Sequence, residues 1–280
     1  MKLSTTIVSF GRYFGEGKMD IEGFITYCSN LGIEGVDLGY YWKNEEEIEK
    51  VSGWLKENNL NLGCYIANND FALSNEKDRQ KEVEKLKRSI DIAVKVGADI
   101  VRVFGGKMKE GLTYNIAKEW IVDSLKEVTS YASEHNVILA LENHGQLCAK
   151  SSQIIDIVNS VGSSYLRVNI DIANFLCVDE DPLEAIVKLS PYAAYVHVKD
   201  LKKVEKEDKD EKIIVSLEGK RYLSCITGEG IIDLEDAFKR LKKANYTGYL
   251  SLEYEVQRDN KIGVKRSIVN IKKILREVKE

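Results

Sequence analysis

Short apolar runs alternate with segments of helical period along the whole chain, and this alternation limits the fold more than any other feature. In the first half the runs are residues 5–10, 33–38, 60–67 and 99–104. In the second half they are 137–144, 166–171, 194–200 and 249–255. Between them lie amphipathic stretches such as Ile21, Phe24, Ile25 and Cys28 after Asp20, or Val83, Leu86, Ile90 and Ala93 before Gly97. Asp20, Asn44, Asn75, Asp181 and Asp233 stand where helix N-caps are needed, Glu47 completes a capping box with Asn44, and Pro182 takes a first helical position. Strand and helix in strict alternation predict a parallel sheet. Eight such pairs in 280 residues match the roughly 250 residues of a closed barrel. No Gly-x-Gly-x-x-Gly follows the first strand, which disfavours an open dinucleotide-binding sheet. With two prolines and no Gly/Ser/Pro-rich linker, residues 1–280 are predicted to form one α/β domain, a single (β/α)8 TIM barrel.

The last four strands share a second feature. Each ends in a group able to bind a metal: Glu142, Asp171, His197 and Glu253. Side chains alternate faces along a strand, so Ala140, Asn169, Tyr195 and Ser251 share the face of these four. The opposite faces are aliphatic: Leu139 and Leu141, Val168 and Ile170, Val196 and Val198, Leu250 and Leu252. Such strands pack their aliphatic face on helices and bring their polar ends to one point. Active sites of these barrels lie at the C-terminal strand ends. Three carboxylates and one imidazole suit one divalent cation, Mn²⁺, Mg²⁺, Co²⁺ or Zn²⁺. The alternative is that each acid is separately satisfied by a salt bridge or a helix cap.

Other polar residues lie near these strand ends. His144 is two residues beyond Glu142 and is placed to meet a substrate hydroxyl or to orient a ligand; the alternative is a rim histidine. Lys199 shares the face of His197, where it can hold a substrate oxygen or pair with Asp200 or Glu255. Asn174, three residues past Asp171, is placed at the substrate. Arg102 points to the pocket or to an acid inside the barrel, and His135 falls at the opposite end. Trp42, Trp54 and Trp120 are at spacings more typical of plain core than of a pocket or interface lining, which is the alternative.

Charge and composition narrow the class of partner. There are 41 basic and 45 acidic residues, a balance that offers no basic excess for a polyanion and predicts no nucleic-acid partner. No apolar run is long enough to span a membrane, and the N-terminal residues lack the apolar core of a signal peptide. The five cysteines, Cys28, Cys64, Cys148, Cys177 and Cys225, form no Cys-x-x-Cys and read as reduced thiols of a cytoplasmic protein. A small sugar or polyol is the expected partner, and a homo-oligomer is allowed but not specified.

One connection departs from the pattern, an insertion at about 201–226. It opens with Lys202-Lys-Val-Glu-Lys-Glu-Asp-Lys-Asp-Glu-Lys212, read as a solvated loop of mixed sign. Residues 213–217 and 220–226 then flank Glu218-Gly219 and are predicted to pair as a hairpin. Following a ligand-bearing strand, that hairpin is placed to cover the site as a lid.

Gly35-Val-Asp-Leu38, Leu141-Glu-Asn-His-Gly145, Asp171, His197-Val-Lys-Asp200, Gly228-Glu-Gly-Ile-Ile-Asp233 and Ser251-Leu-Glu-Tyr-Glu255 together resemble the xylose isomerase-like barrels, in particular the sugar phosphate isomerase/epimerase group. The resemblance covers nearly the whole chain. It implies one divalent metal held by Glu142, Asp171, His197 and Glu253, with Glu142 and Glu253 also the proton-transfer pair. It implies isomerisation or epimerisation of a sugar or sugar phosphate through a metal-stabilised enediolate. Many members carry Asp-x-x-His at the Asp171 strand, and here that histidine is replaced by Asn174. A dehydratase or isomerase of inososes uses a similar site and is the alternative. An apurinic endonuclease needs a multi-zinc histidine cluster, which His135, His144 and His197 cannot build. A non-catalytic sugar-binding protein is disfavoured by the intact Glu142 and Glu253.

Overall fold

The computed structural model describes residues 1–205, 212–256 and 260–278. Its first seven strands are β1 (Lys2–Thr6), β2 (Gly35–Gly39), β3 (Asn61–Ile66), β4 (Ile100–Phe104), β5 (Ile138–Glu142), β6 (Leu166–Asp171) and β7 (Ala193–Val198). Three short strands follow, β8 (Leu201–Lys203), β9 (Ile214–Val215) and β10 (Arg221–Ser224), before β11 (Tyr249–Leu252). Strands β1 to β7 pair in sequence order, β11 pairs with β7, and β1 pairs with β11, so the parallel sheet closes on itself as an eight-stranded TIM barrel.

Helices cover the outside. A one-turn α1 (Gly11–Gly15) precedes α2 (Ile21–Ser29), and α3 (Glu45–Glu57), α4 (Glu76–Val96), α5 (Tyr114–Glu134), α6 (Ser151–Val161), α7 (Pro182–Leu189), α8 (Leu234–Lys243) and α9 (Asn260–Glu277) follow. The caps are those expected. Asp20, Asn44, Asn75 and Asp233 side chains accept from the third backbone N–H beyond them, and Asp181 accepts from Leu183 and Glu184. Glu47 returns its carboxylate to the N–H of Lys43 rather than to Asn44. Leu139, Leu141, Val168, Ile170, Val196, Val198, Leu250 and Leu252 are all buried in the core shared with the helices. The aliphatic face of each strand thus does what its alternation requires.

Two expectations need correction. The first strand is Lys2–Thr6, and residues 7–10 form a 3₁₀ turn capped by Thr6. Ile7 and Phe10, three apart, are both buried there, so an apolar run that reads as a strand packs as a turn. The predicted hairpin forms between β9 and β10, but β8 adds a third antiparallel strand on the other side of β10. Lys202 and Lys203 of β8 are exposed, so no apolar pattern announces it. Most of the charged stretch read as a loop, residues 206–211, lies outside the described residues.

Asp200 anchors both ends of this insertion. Its buried carboxylate accepts from the N–H of Leu201 at 2.9 Å, Gly228 at 3.1 Å, Gly230 at 2.8 Å and Ile232 at 3.3 Å. Gly230 is required, because a Cβ there would collide with the carboxyl group. The Gly228 and Gly230 amides are therefore filled by a carboxylate of the chain itself. Gln146 donates to the carbonyl of Val215 at 3.1 Å, and the N–H of Leu217 donates to that of Cys177 at 3.1 Å, seating the small sheet on the loops after β5 and β6.

Candidate metal centre

The barrel register brings the four strand ends together. Asp171 pairs directly with His197, Glu142 with Asn169, and Ser251 with His197. Glu142, Asp171, His197 and Glu253 are all buried, and one possible ligand atom from each lies within 4.8 Å of the others. His197 Nδ1 is 3.4 Å from Glu142 Oε2 and 3.8 Å from Glu253 Oε2.

Two cations share this space with the acids. Lys199, itself buried, reaches Asp171 Oδ2 at 3.0 Å, Glu253 Oε2 at 3.1 Å and Glu255 Oε2 at 3.0 Å. It pairs with Glu255 as one reading foresaw and not with Asp200, whose carboxylate is taken by backbone amides. Arg102 resolves toward the acid: its Nε is 3.2 Å from Glu142 Oε2, and its planar head lies 4.0 Å over the Phe104 ring. Asn174 is buried and donates to the carbonyl of Asn143 at 2.9 Å and to Glu142 Oε1 at 3.4 Å, while its N–H donates to Asp171 Oδ1. It braces two of the acids. His144 lies exposed at the mouth with its ring 4.5 Å from that of Phe104. His135 is far from the site, against Tyr131. Trp42 donates to the Tyr65 hydroxyl at 3.2 Å, and Trp54 and Trp120 pack on the core.

The charge pattern follows from burial. Burial pushes the Glu142 carboxyl up to about 7, against the pull of Arg102 and with the Glu253 charge adding to it. Burial raises Asp171 well above the carboxylate range despite Lys199. Burial acts on Glu253 in the same direction, but Lys199, His197 and Arg102 outweigh it and hold this group below that range. Burial lowers His197 to about 4, so its imidazole is neutral at neutral pH. Beyond its ion pair with Lys199, Asp171 Oδ2 makes no hydrogen bond among the described residues. A buried neutral imidazole and three crowded carboxylates fit a divalent cation by donor type and by spacing.

The chain matches the model of the xylose isomerase-like TIM barrels over residues 25–274. It belongs to this family. An inosose dehydratase of Clostridium perfringens is 28% identical over 142 residues, 49% of this chain and 48% of that protein. The chain thus matches about half the length of that relative. The L-ribulose-5-phosphate 3-epimerase UlaE of Escherichia coli K12 is 24% identical over 217 residues, 76% of this chain and 70% of the epimerase. Among solved structures, the IOLI protein with a bound zinc atom superposes with a TM-score of 0.79 at 18% identity, covering 99% of this chain and 98% of that one. The family therefore includes proteins named as epimerases and as dehydratases. No helix among the described residues is long and apolar enough to cross a membrane.

One residue of the interior was not singled out from the sequence as part of the site. Asp37, on β2, is fully buried and accepts hydrogen bonds from the hydroxyls of Tyr195 and Ser251. Burial pushes its carboxyl up to about 7 against the pull of those hydroxyls. The signal was present: Val36 and Leu38 face the helices, so strict alternation turns Asp37 inward.

Proposed function

We propose that this protein is a divalent-metal-dependent isomerase or epimerase of a sugar or sugar phosphate, working by proton transfer next to a carbonyl. The carrying observation is the convergence of Glu142, Asp171, His197 and Glu253 at the C-terminal ends of four adjacent barrel strands. In this reading all four hold one cation, of the Mn²⁺, Mg²⁺, Co²⁺ or Zn²⁺ type. When bound, the cation would supply Lewis-acid polarisation of the substrate carbonyl.

The chain's own groups do the rest. Glu142 and Glu253 form the proton-transfer pair: one takes the proton from carbon and the other returns one. Return to the opposite face of the same carbon gives epimerisation, and return to the adjacent carbon gives aldose–ketose isomerisation. Lys199, already committed to carboxylates, holds a substrate oxygen as its charge is needed there. His144 at the mouth meets a substrate hydroxyl, and Asn174 serves the substrate edge of Glu142. Residues 1–280 act as one catalytic domain, with a charged insertion at about 201–226 whose hairpin, residues 213–226, serves as a lid over the mouth. The similarity to an inosose dehydratase supports a second reading, in which proton removal is followed by loss of the hydroxyl from the next carbon as water.

The test is turnover of free and phosphorylated ketoses and inososes by metal-stripped protein in D₂O, with and without Mn²⁺. Metal-dependent deuterium uptake at carbon with a new sugar isomer supports the first reading. An absorbing unsaturated ketone supports the second. A folded protein that binds no divalent cation overturns both.

A further inference from the structure

Asp37 lies inside the barrel below the four converging groups, and its surroundings are built for it. Its Oδ1 accepts from the Tyr195 hydroxyl, and its Oδ2 accepts from Ser251 Oγ at 2.5 Å. Ser4 Oγ lies 3.0 Å from the Tyr195 hydroxyl. Gly63 leaves the room: a Cβ there would collide with the Tyr195 hydroxyl and come within 2.9 Å of Asp37 Oδ1. Two hydroxyl donors leave a carboxylate with spare acceptor capacity, since it offers about four lone-pair positions.

The nitrogen that faces this spare capacity is His197 Nε2, 4.0 Å from Asp37 Oδ2. Asn169 Nδ2 lies 3.1 Å from Glu142 Oε2, so the amide turns its NH₂ toward that carboxylate. The same NH₂ lies 3.2 Å from His197 Nδ1 and donates to it. An NH₂ so placed calls for the lone pair on Nδ1 and the proton of the neutral ring on Nε2, against the pull of Glu142 Oε2, 3.4 Å from Nδ1. Nε2 is buried without a hydrogen-bond partner among the described residues, and Asp37 Oδ2 faces it at 4.0 Å.

We infer that Asp37 is a positioning residue for His197, taking up the Nε2–H, fixing the ring tautomer and thereby presenting Nδ1 to the metal. This rests on the metal reading of the site. A histidine that binds a metal through one nitrogen commonly gives its other N–H to a carboxylate, which sets the tautomer and the ring angle. An amide in its place has one acceptor oxygen and a second group that only donates. Asp37→Asn cannot serve Tyr195, Ser251 and His197 together.

Two measurements decide it. In the metal-free wild type, nitrogen-15 NMR of the imidazole is expected to show His197 with the proton on Nε2. Added Zn²⁺ should shift Nδ1 and leave Nε2–H in place. A proton on Nδ1, or Zn²⁺ at Nε2, overturns the inference, and this readout needs no variant to fold. In Asp37→Asn, competition with a chromophoric chelator should give Zn²⁺ binding weakened about 10- to 100-fold, and the NMR spectrum should show mixed tautomers. Zn²⁺ affinity and tautomer equal to those of the wild type overturn it. If the wild type binds no Zn²⁺, the proposed function falls, while the metal-free spectrum still decides whether Asp37 holds His197.

Discussion

Asp37 and Glu253 are both buried inside one barrel, but they are satisfied by different kinds of partner. Asp37 is held by the neutral hydroxyls of Tyr195 and Ser251. Glu253 is held by the ammonium of Lys199, with His197 close by. A hydroxyl network keeps its shape whatever binds above it. A cluster balanced by cations is different, because one cation can stand in for another. The upper layer is thus suited to gaining and losing a metal ion, and the lower layer to staying fixed beneath it.

The largest expected effects lie in the upper layer. Glu142→Gln and Glu253→Gln should each lower kcat by about 10²–10⁴-fold on whichever substrate the panel identifies. Near-full turnover in either variant would remove that carboxylate from the proton-transfer pair. Lys199→Met should destabilise the metal-free protein by about 3 kcal/mol in urea unfolding, because it strands buried acids. Saturating Zn²⁺ should restore much of that loss. If the cost is the same with and without metal, the cation-exchange view of the upper layer is wrong.

The next effect is one of pH. A metal must compete with the proton on Glu142, whose carboxyl is raised to about 7, whereas His197 is already neutral above about 4. Asp171 is raised as well, so affinity for Zn²⁺ should fall as the pH drops through 7, by up to about tenfold per unit for each ligand carboxyl that has taken up a proton. A titration from pH 8 to 5.5 checks this, and an affinity that stays level to pH 5.5 would contradict the raised carboxyl. The smallest effect belongs to the lower layer. Ser251→Ala should cost about 1 kcal/mol of stability through one lost hydrogen bond and should weaken Zn²⁺ binding less than Asp37→Asn does. A larger loss of metal affinity than in Asp37→Asn would show that the layers are not separate.

The four candidate ligands were legible because each ends an apolar run whose other face is purely aliphatic. Strand order and helix caps were legible for similarly local reasons. The neighbours of those ligands were not. Arg102 had two possible directions, and only the register of β4 beside β5 sends it to Glu142. Asn174 was read toward substrate, and Lys199 toward substrate or toward Asp200 or Glu255, but the barrel also packs them against acids that are 32 and 54 residues away in sequence. Asp37 needed a contact with Tyr195 at a separation of 158 residues, which no local pattern encodes. β8 escaped because a solvent-facing pair of lysines follows no hydrophobic period.

The Asp200 carboxylate has a consequence for how such a chain can be altered. By gripping Leu201 at one end and Gly228, Gly230 and Ile232 at the other, it works as a clasp that fixes where the inserted segment leaves and rejoins the barrel. Doubling the length of a flexible loop costs only about 0.6 kcal/mol. A segment held this way is a cassette: a change in its length between the two clasped ends leaves the eight strands, and the four side chains that converge at their ends, in their places.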